Sequence, residues 1–468
     1  MSIETPPAEN DEDSSRPLLF AHHDAPPPMT RFIAGLQHLM AVFGGIITAP
    51  LVLARGMGLD TTDSNYLITS ALLISGLATL VQVTRIGPVG SGLLSVQGTS
   101  FTFIGPILFA FFSLPETMVD ADKLSVIFGS IAVAALLMLP FAANVHKLHF
   151  VFTPTVAGTT VFLIGSSLVL NNLGSLAAEV QAAPTTVAAT SSVVLALTVF
   201  SVTLLLSLSR HFWLRMTSIV LGFAVGFLLA LSLGKIDFTL LGQLDTTFVP
   251  QPFHFGFGFD WGVTLMMLPI FVVSMMETIG DLTATSALSK LPTKGPEYWG
   301  RIRGGLIADA VDCLLAAVFH SFPNITFAQN NGVIRLTGIA SRKVGIVTGC
   351  MLMTLGLFPF IGGLFQLLPN AVLTGGTMLM FLMVAFAGFD IVRRGATSRR
   401  AWFIAALSVG GGVLLAEVAG HLDFLHAQLQ MFLQFHVSNG AFLAIIFELV
   451  LPATLFAATQ VTPASHQA

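Results

Sequence analysis

Apolar runs separated by short polar breaks fill this chain from about residue 31 almost to its end, and this pattern restricts the fold more than any other. Hydrophobic residues make up 54% of the sequence and charged residues only 9%, whereas soluble domains carry roughly 25% charged residues. Each run is compatible with a membrane helix, or with a helix that is broken midway. The sequence therefore predicts an all-α polytopic membrane protein with about fourteen segments. They centre near residues 45, 75, 105, 134, 162, 199, 225, 272, 312, 333, 355, 380, 410 and 448.

Basic residues indicate the orientation of these segments, because cytoplasmic loops of membrane proteins are enriched in Lys and Arg. With a cytoplasmic N-terminus, sixteen of the 20 basic residues fall at inside positions. Only Arg55, Lys123 and Lys235 fall outside, and Arg335 lies within the tenth segment. We therefore expect a multi-pass protein of the cell inner (plasma) membrane with both termini cytoplasmic. The polar residues 1–30 are expected to form a disordered cytoplasmic tail.

Three adjacent amides, Gln329, Asn330 and Asn331, lie among these membrane segments, where polar side chains are costly and usually functional. Residues 323–328 just before them have the proline and β-branched content of a short extended piece rather than a helix. Non-helical backbone in a membrane must be buried in protein or line a cavity. Secondary transporters place substrate sites at such breaks, so solute transport is the predicted activity.

The two halves of the chain share weak similarities that suggest an inverted repeat. Residues 95–103 in the third segment alternate like a short strand and contain a glutamine beside glycine, as does the tenth segment. Residues 154–160 in the fifth segment resemble residues 369–377 in the twelfth. An offset of seven segments inverts the second half, as expected when two broken helices build one site. Helices starting at Phe103 and Gly332 would then direct partial positive charge at a bound solute.

Residues 329–338 resemble the signature of the nucleobase/ascorbate transporter family (nucleobase:cation symporter-2). That signature is Gln, Glu or Pro, then Asn-x-Gly, four variable residues, Thr, and a final Arg, Lys or Gly. The resemblance extends from about residue 31 to residue 456, and Gln329 is similar to the first position of the xanthine and urate members. Arg335 departs from the residue expected at its variable position. Further landmarks of the family follow in order: Gln37 and His38, Glu277, Gly280 and Asp281, and Asp309 after Gly304 and Gly305.

The resemblance implies a proton-coupled symporter of fourteen segments in a 7+7 inverted repeat, with short strands breaking segments 3 and 10. It implies a homodimer in which a core domain moves against a gate domain in an elevator-type mechanism. The implied substrate is xanthine and/or uric acid, with H+ as the coupling ion and without another cofactor. The expected divisions are residues 31–145 (core, first half), 146–258 (gate, first half), 259–368 (core, second half), 369–458 (gate, second half) and 459–468 (cytoplasmic tail).

Acidic residues in the eighth and ninth segments suggest a mechanism. Glu277 and Asp281 are four residues apart and share a helix face. Repulsion and desolvation favour protonation of at least one of them, which suits both for proton coupling. Asp309 and Asp312 repeat the arrangement, and the family pattern assigns proton control to Asp309. Asp281 either handles the proton or orients its neighbours, whereas Asp312 and Glu448 are expected to be structural.

An acidic side chain and an amide side chain are expected to bind the polar edge of the substrate. We hypothesise that Glu277 binds the NH groups of the purine and that Gln329 binds its carbonyl and ring-nitrogen edge, since an amide offers both donor and acceptor. Phe327 or a neighbouring aromatic residue would stack on the ring. Ser100 and Thr99 are expected beside the substrate, with His38 forming a hydrogen-bond bridge to them. The residues expected to organise the site are Gln37, His38, Asn330, Gly332 and Thr337.

Two other function classes remain open from the sequence. An inorganic anion transporter or channel could share the inverted repeat and use Arg335 as an anchor, although the negative charges of Glu277 and Asp281 would oppose an anion. A membrane-embedded enzyme is disfavoured, because the sequence contains no zinc, phosphate-loop or nucleophile-elbow motif. The scattered histidines predict no metal site. Xanthine and urate are not separated by these residues.

Overall fold

Helices dominate the computed structural model, which describes residues 18–147, 153–243, 248–395, 399–421 and 427–451. Most of the predicted N-terminal tail, residues 1–17, and the predicted C-terminal tail, residues 459–468, lie outside the described residues. The first half contains α1 (Pro28–Met57), α2 (Thr61–Thr84), β1 (Gln97–Thr99), α3 (Ile104–Ser113), α4 (Asp120–Ala143), α5 (Pro154–Ala182), α6 (Thr186–Ser207), α7 (Phe212–Met216) and α8 (Ser218–Ser232). The second half contains α9 (Trp261–Leu288), α10 (Pro296–Val318), β2 (Asn324–Thr326), α11 (Gln329–Thr337), α12 (Arg342–Gly356), α13 (Pro359–Gln366), α14 (Asn370–Gly395), α15 (Arg399–Ala419), α16 (Ala427–Gln434) and α17 (His436–Val450).

Long apolar helices show that the chain is a multi-pass membrane protein, as its composition predicts. Within the described ranges, eight helices are long and apolar enough to cross a membrane. The bent pair α12 and α13, which meet at 73°, adds a ninth candidate. Shorter apolar helices, among them α8 and α17, accompany these spans.

The helix ends follow local sequence signals. Pro28 starts α1 at a position where a proline costs no hydrogen bond, and Gly58 ends it in the left-handed conformation at φ 73°. Asp260 caps α9, because its Oδ1 accepts a hydrogen bond from the backbone N–H of Val263 at 3.0 Å. The long helices therefore begin and end where the polar breaks in the sequence lie.

A two-stranded sheet lies between the helices. Strands β1 and β2 are antiparallel, with Gln97 opposite Thr326 and Thr99 opposite Asn324. The pairing extends beyond both strands, since Ser100 N–H donates to the Pro323 carbonyl at 2.9 Å and Phe327 N–H donates to the Val96 carbonyl at 3.0 Å. These bonds satisfy backbone groups that would otherwise lack partners in the membrane interior.

Each strand leads at once into a short helix. A 3-10 turn, Phe101–Phe103, connects β1 to α3, and α11 starts only three residues after β2. The expected helix starts at Phe103 and Gly332 are therefore wrong by one and three residues. Helix α11 begins earlier because Ala328, with φ −59° and ψ −26°, already has helical backbone angles. Helix α3 begins later because the 3-10 turn Phe101–Phe103 precedes it.

Aromatic side chains fill the core between α3, α4, α9 and the segment before β2. The rings of Phe103 and Phe271 meet edge to face with centroids 4.9 Å apart. Phe128 and Phe322 pack with centroids 5.5 Å apart. All four side chains are buried, and aromatic pairs at such distances stabilise a core beyond their buried area. This core fixes α9 relative to the strand pair.

Helices α5 and α14 pack along much of their length through small residues. A Cβ atom on Gly165 would lie 2.2 Å from the backbone nitrogen of Ala385, and one on Gly388 would lie 2.2 Å from that of Phe162. Glycine therefore permits an approach that any larger residue would prevent, as is common between membrane helices. The two helices form one wall beside the strand pair.

The described end of the predicted tail is attached to the helical body. Leu19 N–H donates to the Gly338 carbonyl at 2.8 Å, and Ala340 N–H donates to the Phe20 carbonyl at 2.9 Å. Arg342 N–H donates to the His22 carbonyl at 3.2 Å. This differs from the expectation of an unattached tail up to residue 30, because the backbone groups of residues 338–342 hydrogen-bond to the N-terminal segment.

Attachment of this segment should depend on pH through His22. Burial, together with His23, Arg342 and Arg301, lowers the pKa of His22 from 6.5 to about 4. A lowered histidine pKa means that the attached segment is stable above pH 6.5 and loses stability as the pH falls towards 4. We expect the amides of Leu19 and Ala340 to exchange with deuterium faster at pH 5 than at pH 7.5, after correction for intrinsic rates. The His22→Gln variant should lack this pH dependence, and an equal dependence in both proteins would contradict the assignment.

Candidate functional site

A cavity of about 280 Å³ opens where the two strand ends meet α5, α9 and α14. One side consists of the residues that follow β1 and β2, together with α9. The other side is formed by apolar residues of α5 and α14. The lining residues are Ser100, Phe101, Thr102, Ala157, Val161, Met276, Glu277, Gly280, Asp281, Ile325, Thr326, Phe327, Ala328, Gln329, Val384, Ala387 and Ile391.

Glu277 projects from α9 into this cavity and is half-buried. The hydroxyl of Thr102 lies 3.1 Å from its Oε1 and 3.0 Å from its Oε2, so it donates to the carboxyl group. One hydroxyl proton satisfies a single lone pair, and a carboxylate has about four acceptor positions. Glu277 therefore keeps acceptor capacity for NH groups of a ligand.

Asp281 lies one helical turn further along α9 and also lines the cavity. Thr326 of β2 donates its hydroxyl to Asp281 Oδ2 at 3.1 Å. The backbone carbonyl of Asp281 accepts from Asn331 Nδ2 at 3.4 Å and from the Thr285 hydroxyl at 2.8 Å. Asp281 thus connects α9 to both β2 and α11.

Phe327 and Gln329 follow β2 and line the same side of the cavity as α9. The Phe327 ring occupies space left by two glycines, because a Cβ on Gly45 or on Gly98 would lie 2.8 Å from its ring atoms. The Phe101 ring lies nearly parallel to it, at 24° and a centroid distance of 6.3 Å. Gln329 is the first residue of α11, and it is exposed at the mouth of the cavity. Aromatic faces and a polar edge are therefore adjacent.

Asp309 and Asp312 lie behind α9 on α10, and the cavity lining in the described chain includes neither of them. Asp309 is 7% exposed. It accepts from the Thr278 hydroxyl and from Gln82 Nε2, the latter at 3.4 Å. Asp312 is fully buried, and neither of its carboxyl oxygens has a hydrogen-bond partner among the described residues. Asp309 is connected to the cavity wall through Thr278, the residue next to Glu277.

His38 on α1 is fully buried, and neither of its ring nitrogens has a hydrogen-bond partner among the described residues. Asn330 donates Nδ2 to the Leu94 carbonyl at 2.5 Å. The expected bridge from His38 to Thr99 or Ser100 is absent from the described hydrogen bonds. Backbone pairing in the sheet places Thr99 against Asn324, and its hydroxyl has no partner among the described residues. Ser100 lines the cavity, whereas Thr99 lies outside the described lining.

The other expected organisers lie on the flanking helices. Gln37 is half-buried on α1 next to His38, and Gly332 lies in the first turn of α11. The Thr337 hydroxyl donates to the Val333 carbonyl at 2.8 Å and accepts from Ile339 N–H at 3.2 Å, which stabilises the end of α11. None of the three is among the described residues that line the cavity.

Arg335 and Glu448 lie away from the cavity. Arg335 is exposed in the last turn of α11 and is not among the described lining residues. Glu448 accepts from Arg400 Nη1 at 2.9 Å, and Arg400 Nη2 also donates to its carbonyl at 2.6 Å. Glu448 therefore connects α17 to α15.

Thr102 and Thr326 are partners of the acidic residues that sequence reasoning did not identify. Each hydroxyl contacts a carboxyl group that is distant in sequence, at separations of 175 and 45 residues. Helix periodicity relates only residues of one helix, so it gave no signal for these contacts. Only the position of the two threonines in the sequence could have indicated these contacts, because one lies in each of the two stretches predicted to be extended.

Known permeases match this chain over most of its length. A protein-family model described as the permease family matches residues 29–420. The xanthine permease XanP of Escherichia coli (strain K12) is 36% identical over 459 residues, covering 97% of this chain and 99% of that protein. The xanthine permease XanQ of the same strain is 35% identical, covering 93% and 94%. A putative purine permease of Clostridium perfringens is 31% identical, covering 90% of each chain.

Solved structures share the fold at low sequence identity. The transmembrane domain of the cyanobacterial bicarbonate transporter BicA matches with a TM-score of 0.52 at 15% identity, covering 92% of this chain and all of that domain. The structure of SLC26A9 matches with a TM-score of 0.57 at 11% identity, covering 90% of this chain and 65% of that one. At these identities the similarity concerns the fold alone.

The Asn330 contact predicts a stability difference between two neighbouring amides. Asn330→Ala leaves the buried Leu94 carbonyl without its side-chain partner, which costs about 1–3 kcal/mol. We expect a lower apparent melting temperature of the purified, detergent-solubilised protein. Gln329→Ala is the matched control, because Gln329 is exposed and its truncation should leave the melting temperature nearly unchanged. Equal melting temperatures for the two variants would contradict the bracing role of Asn330.

Proposed function

This chain belongs to the nucleobase/ascorbate transporter family, whose members are permeases and not enzymes, and we propose that it imports xanthine or uric acid together with protons. The substrate assignment rests on one observation. The carboxyl group of Glu277, the amide of Gln329 and the ring of Phe327 line the same cavity. An oxidised purine is flat, with apolar faces and a rim of NH and carbonyl groups. The xanthine permeases that resemble this chain over nearly its whole length support the proposal.

The proposed contacts follow from donor and acceptor chemistry. Glu277 accepts hydrogen bonds from two ring NH groups of the purine, with Thr102 holding the carboxyl group in place. Gln329 donates to an oxo group and accepts from an NH group through its amide. Phe327 stacks on the ring, held by the space at Gly45 and Gly98. These contacts select a purine that is rich in NH and oxo groups.

Proton coupling is assigned to the acidic residues around α9 and α10. Glu277, Asp281 and Asp309 lie in a largely apolar surrounding, where an isolated charge is costly. Protonation of Asp309 changes its hydrogen bonds to Thr278 and Gln82, and Thr278 is adjacent to Glu277 in α9. A proton on Asp309 therefore alters the position or the charge environment of the residue that binds the purine. Asp281 contributes a second protonatable carboxyl group at the cavity.

An elevator-type movement of two domains is the proposed transport step. The proposed core is residues 31–145 and 259–368, and the proposed gate is residues 146–258 and 369–458, arranged as a 7+7 inverted repeat of fourteen segments. The cavity lies between these parts, since its walls are the strand ends with α9 on one side and α5 with α14 on the other. A homodimer in the inner membrane, with both termini cytoplasmic, completes the proposal.

The cavity opens towards the side proposed to be cytoplasmic. Its gate residues lie in the first turns of α5 and towards the end of α14, as Ala157 and Ile391 show. That end of α14 and the start of α15 carry four arginines within residues 393–400, as expected for the inner face of a membrane. This placement supports an inward-open arrangement.

Anion transport is less consistent with the site. The bicarbonate transporter domain and SLC26A9 share only the fold with this chain. Two carboxyl groups, those of Glu277 and Asp281, line the cavity, and Arg335 is not part of the described lining. We therefore do not propose an inorganic anion as the substrate.

Replacing Glu277 by glutamine should abolish xanthine uptake at unchanged surface expression. The amide keeps the shape, but it removes a charge-assisted acceptor, which costs at least about tenfold in affinity. Uptake of radiolabelled xanthine is measured in cells that lack their own purine transporters, with urate, guanine, hypoxanthine, uracil and sulfate as competitors. Glu417→Gln is the matched control, because Glu417 is exposed on α15, away from the cavity. Near-normal uptake by Glu277→Gln would reject this role.

Replacing Asp309 by asparagine should separate binding from proton-driven accumulation. The amide keeps a neutral group against Thr278 and Gln82, but it no longer gains or releases a proton. We expect the variant to exchange xanthine across vesicle membranes while failing to accumulate it under a proton gradient. A protonophore should then abolish accumulation in the wild-type protein and change nothing in the variant. Protonophore-sensitive accumulation by Asp309→Asn would contradict the assignment.

A further inference from the structure

A second cavity, of about 410 Å³, lies on the opposite side of the site, between the end of α1, the end of α5 and the start of α14. No step of the proposed transport involves this outer cavity. In the proposed orientation it faces the outside, because Arg55 belongs to the few basic residues expected there. Its lining residues are Val52, Arg55, Gly56, Gly58, Leu59, Ile104, Leu108, Leu168, Asn171, Asn172, Ser175, Asn370, Leu373, Thr374 and Phe381.

The rim of this outer cavity is polar. Arg55 is half-buried and donates Nη2 to the Gln366 carbonyl at 2.6 Å, which orients the guanidinium group. Asn172 Nδ2 donates to the Thr374 carbonyl at 3.0 Å. Asn370 Nδ2 donates to the Ser175 hydroxyl at 3.1 Å and to Glu179 Oε2 at 3.3 Å. These bonds use the amide nitrogens. The rim therefore offers a fixed cation and oriented amides.

The floor of the outer cavity is apolar, and it contacts the inner site. Ile104, Leu168 and Phe381 are almost completely buried beneath the rim. The Phe381 ring meets Phe101, which lines the inner cavity, edge to face at a centroid distance of 6.1 Å. One aromatic contact thus joins the linings of the two cavities, which lie along the same boundary between the proposed core and gate.

We propose that the outer cavity is a first binding site for the same oxidised purine, occupied before the purine reaches Glu277. This inference rests on the proposed function. Arg55 binds the oxo-rich or deprotonated edge of the purine through its planar guanidinium group, which suits two neighbouring acceptor atoms. The amides of Asn172 and Asn370 bind the remaining edge, and the apolar floor covers one face of the ring.

The two sites differ in charge, and this difference defines their roles. Arg55 is the only charged residue among the described lining residues of the outer cavity, and it is the group there that binds electron-rich oxo groups and anions. The nearest carboxyl group, that of Glu179, lies behind the rim and accepts from Asn370 Nδ2 at 3.3 Å. The inner cavity has Glu277 and Asp281, so it favours NH donors. A urate or xanthine anion therefore binds first at Arg55, whereas the inner site binds the more protonated form of the same purine.

Transport kinetics test the role of Arg55. The Arg55→Gln variant should raise the KM for external xanthine by about tenfold, as for loss of a charge-assisted hydrogen bond, with kcat almost unchanged. The Arg55→Lys variant should recover part of the affinity, because it retains the charge but not the planar fork. Lys235→Gln is the matched control, since it removes an exposed positive charge from the same side, outside the cavity. An unchanged KM for Arg55→Gln would overturn the proposal.

Site-directed labelling tests binding in the outer cavity directly. Asn171→Cys, in a background with Cys350→Ala, places a thiol at the exposed rim for reaction with a membrane-impermeant maleimide. External xanthine should slow the labelling at least twofold. The protection should persist when Glu277→Gln is added and disappear when Arg55→Gln is added. Loss of protection with Glu277→Gln would assign it to the inner site and reject an outer one.

The outcomes also separate this inference from the proposed function. Xanthine uptake by the Asn171→Cys protein without xanthine protection rejects the outer site alone. Protection without uptake by the wild-type chain retains a purine site at the outer cavity and rejects the transport proposal. Absence of both uptake and protection rejects both.

Discussion

Backbone hydrogen bonding in a medium without water is the constraint on which the rest of this structure depends. A strand exposed to lipid leaves N–H and carbonyl groups without partners, at several kcal/mol for each group. Here two extended pieces from distant parts of the chain satisfy each other as β1 and β2. Because each strand stops after three residues and a helix follows, the pairing fixes both short helices at one point. Thr102, Phe327 and Gln329 lie at that point because of this pairing.

Acidic residues then give the site its chemistry. Glu277 and Asp281 lie on one face of α9, and the segments that contain the strands supply a hydroxyl to each, from Thr102 and Thr326. The carboxyl groups are therefore oriented by the same element that places the aromatic wall. Helices α5 and α14, packed through Gly165 and Gly388, close the cavity with apolar side chains. Neither wall contains the whole site, because the lining residues are divided between them.

The sequence predicted most of what depends on composition, motif and helix periodicity. The membrane class, the family and the cavity positions of Glu277, Asp281, Phe327, Gln329 and Ser100 belong to this group, although their roles stay predictions. Contacts between distant segments were not predictable. The expected bridge from His38 to Thr99 or Ser100 is absent from the described residues, where the sheet register pairs Thr99 with Asn324. Likewise, the attachment of residues 18–24 depends on backbone groups, which have no signature in side-chain pattern.

A structure of the protein with bound xanthine, determined by cryo-electron microscopy in lipid nanodiscs, tests the central claim most directly. The account predicts density for a flat ligand against the Phe327 ring, with its NH edge within hydrogen-bond distance of Glu277 and its oxo edge at Gln329. At saturating xanthine, an empty inner cavity, or density with no contact to Glu277, would contradict it.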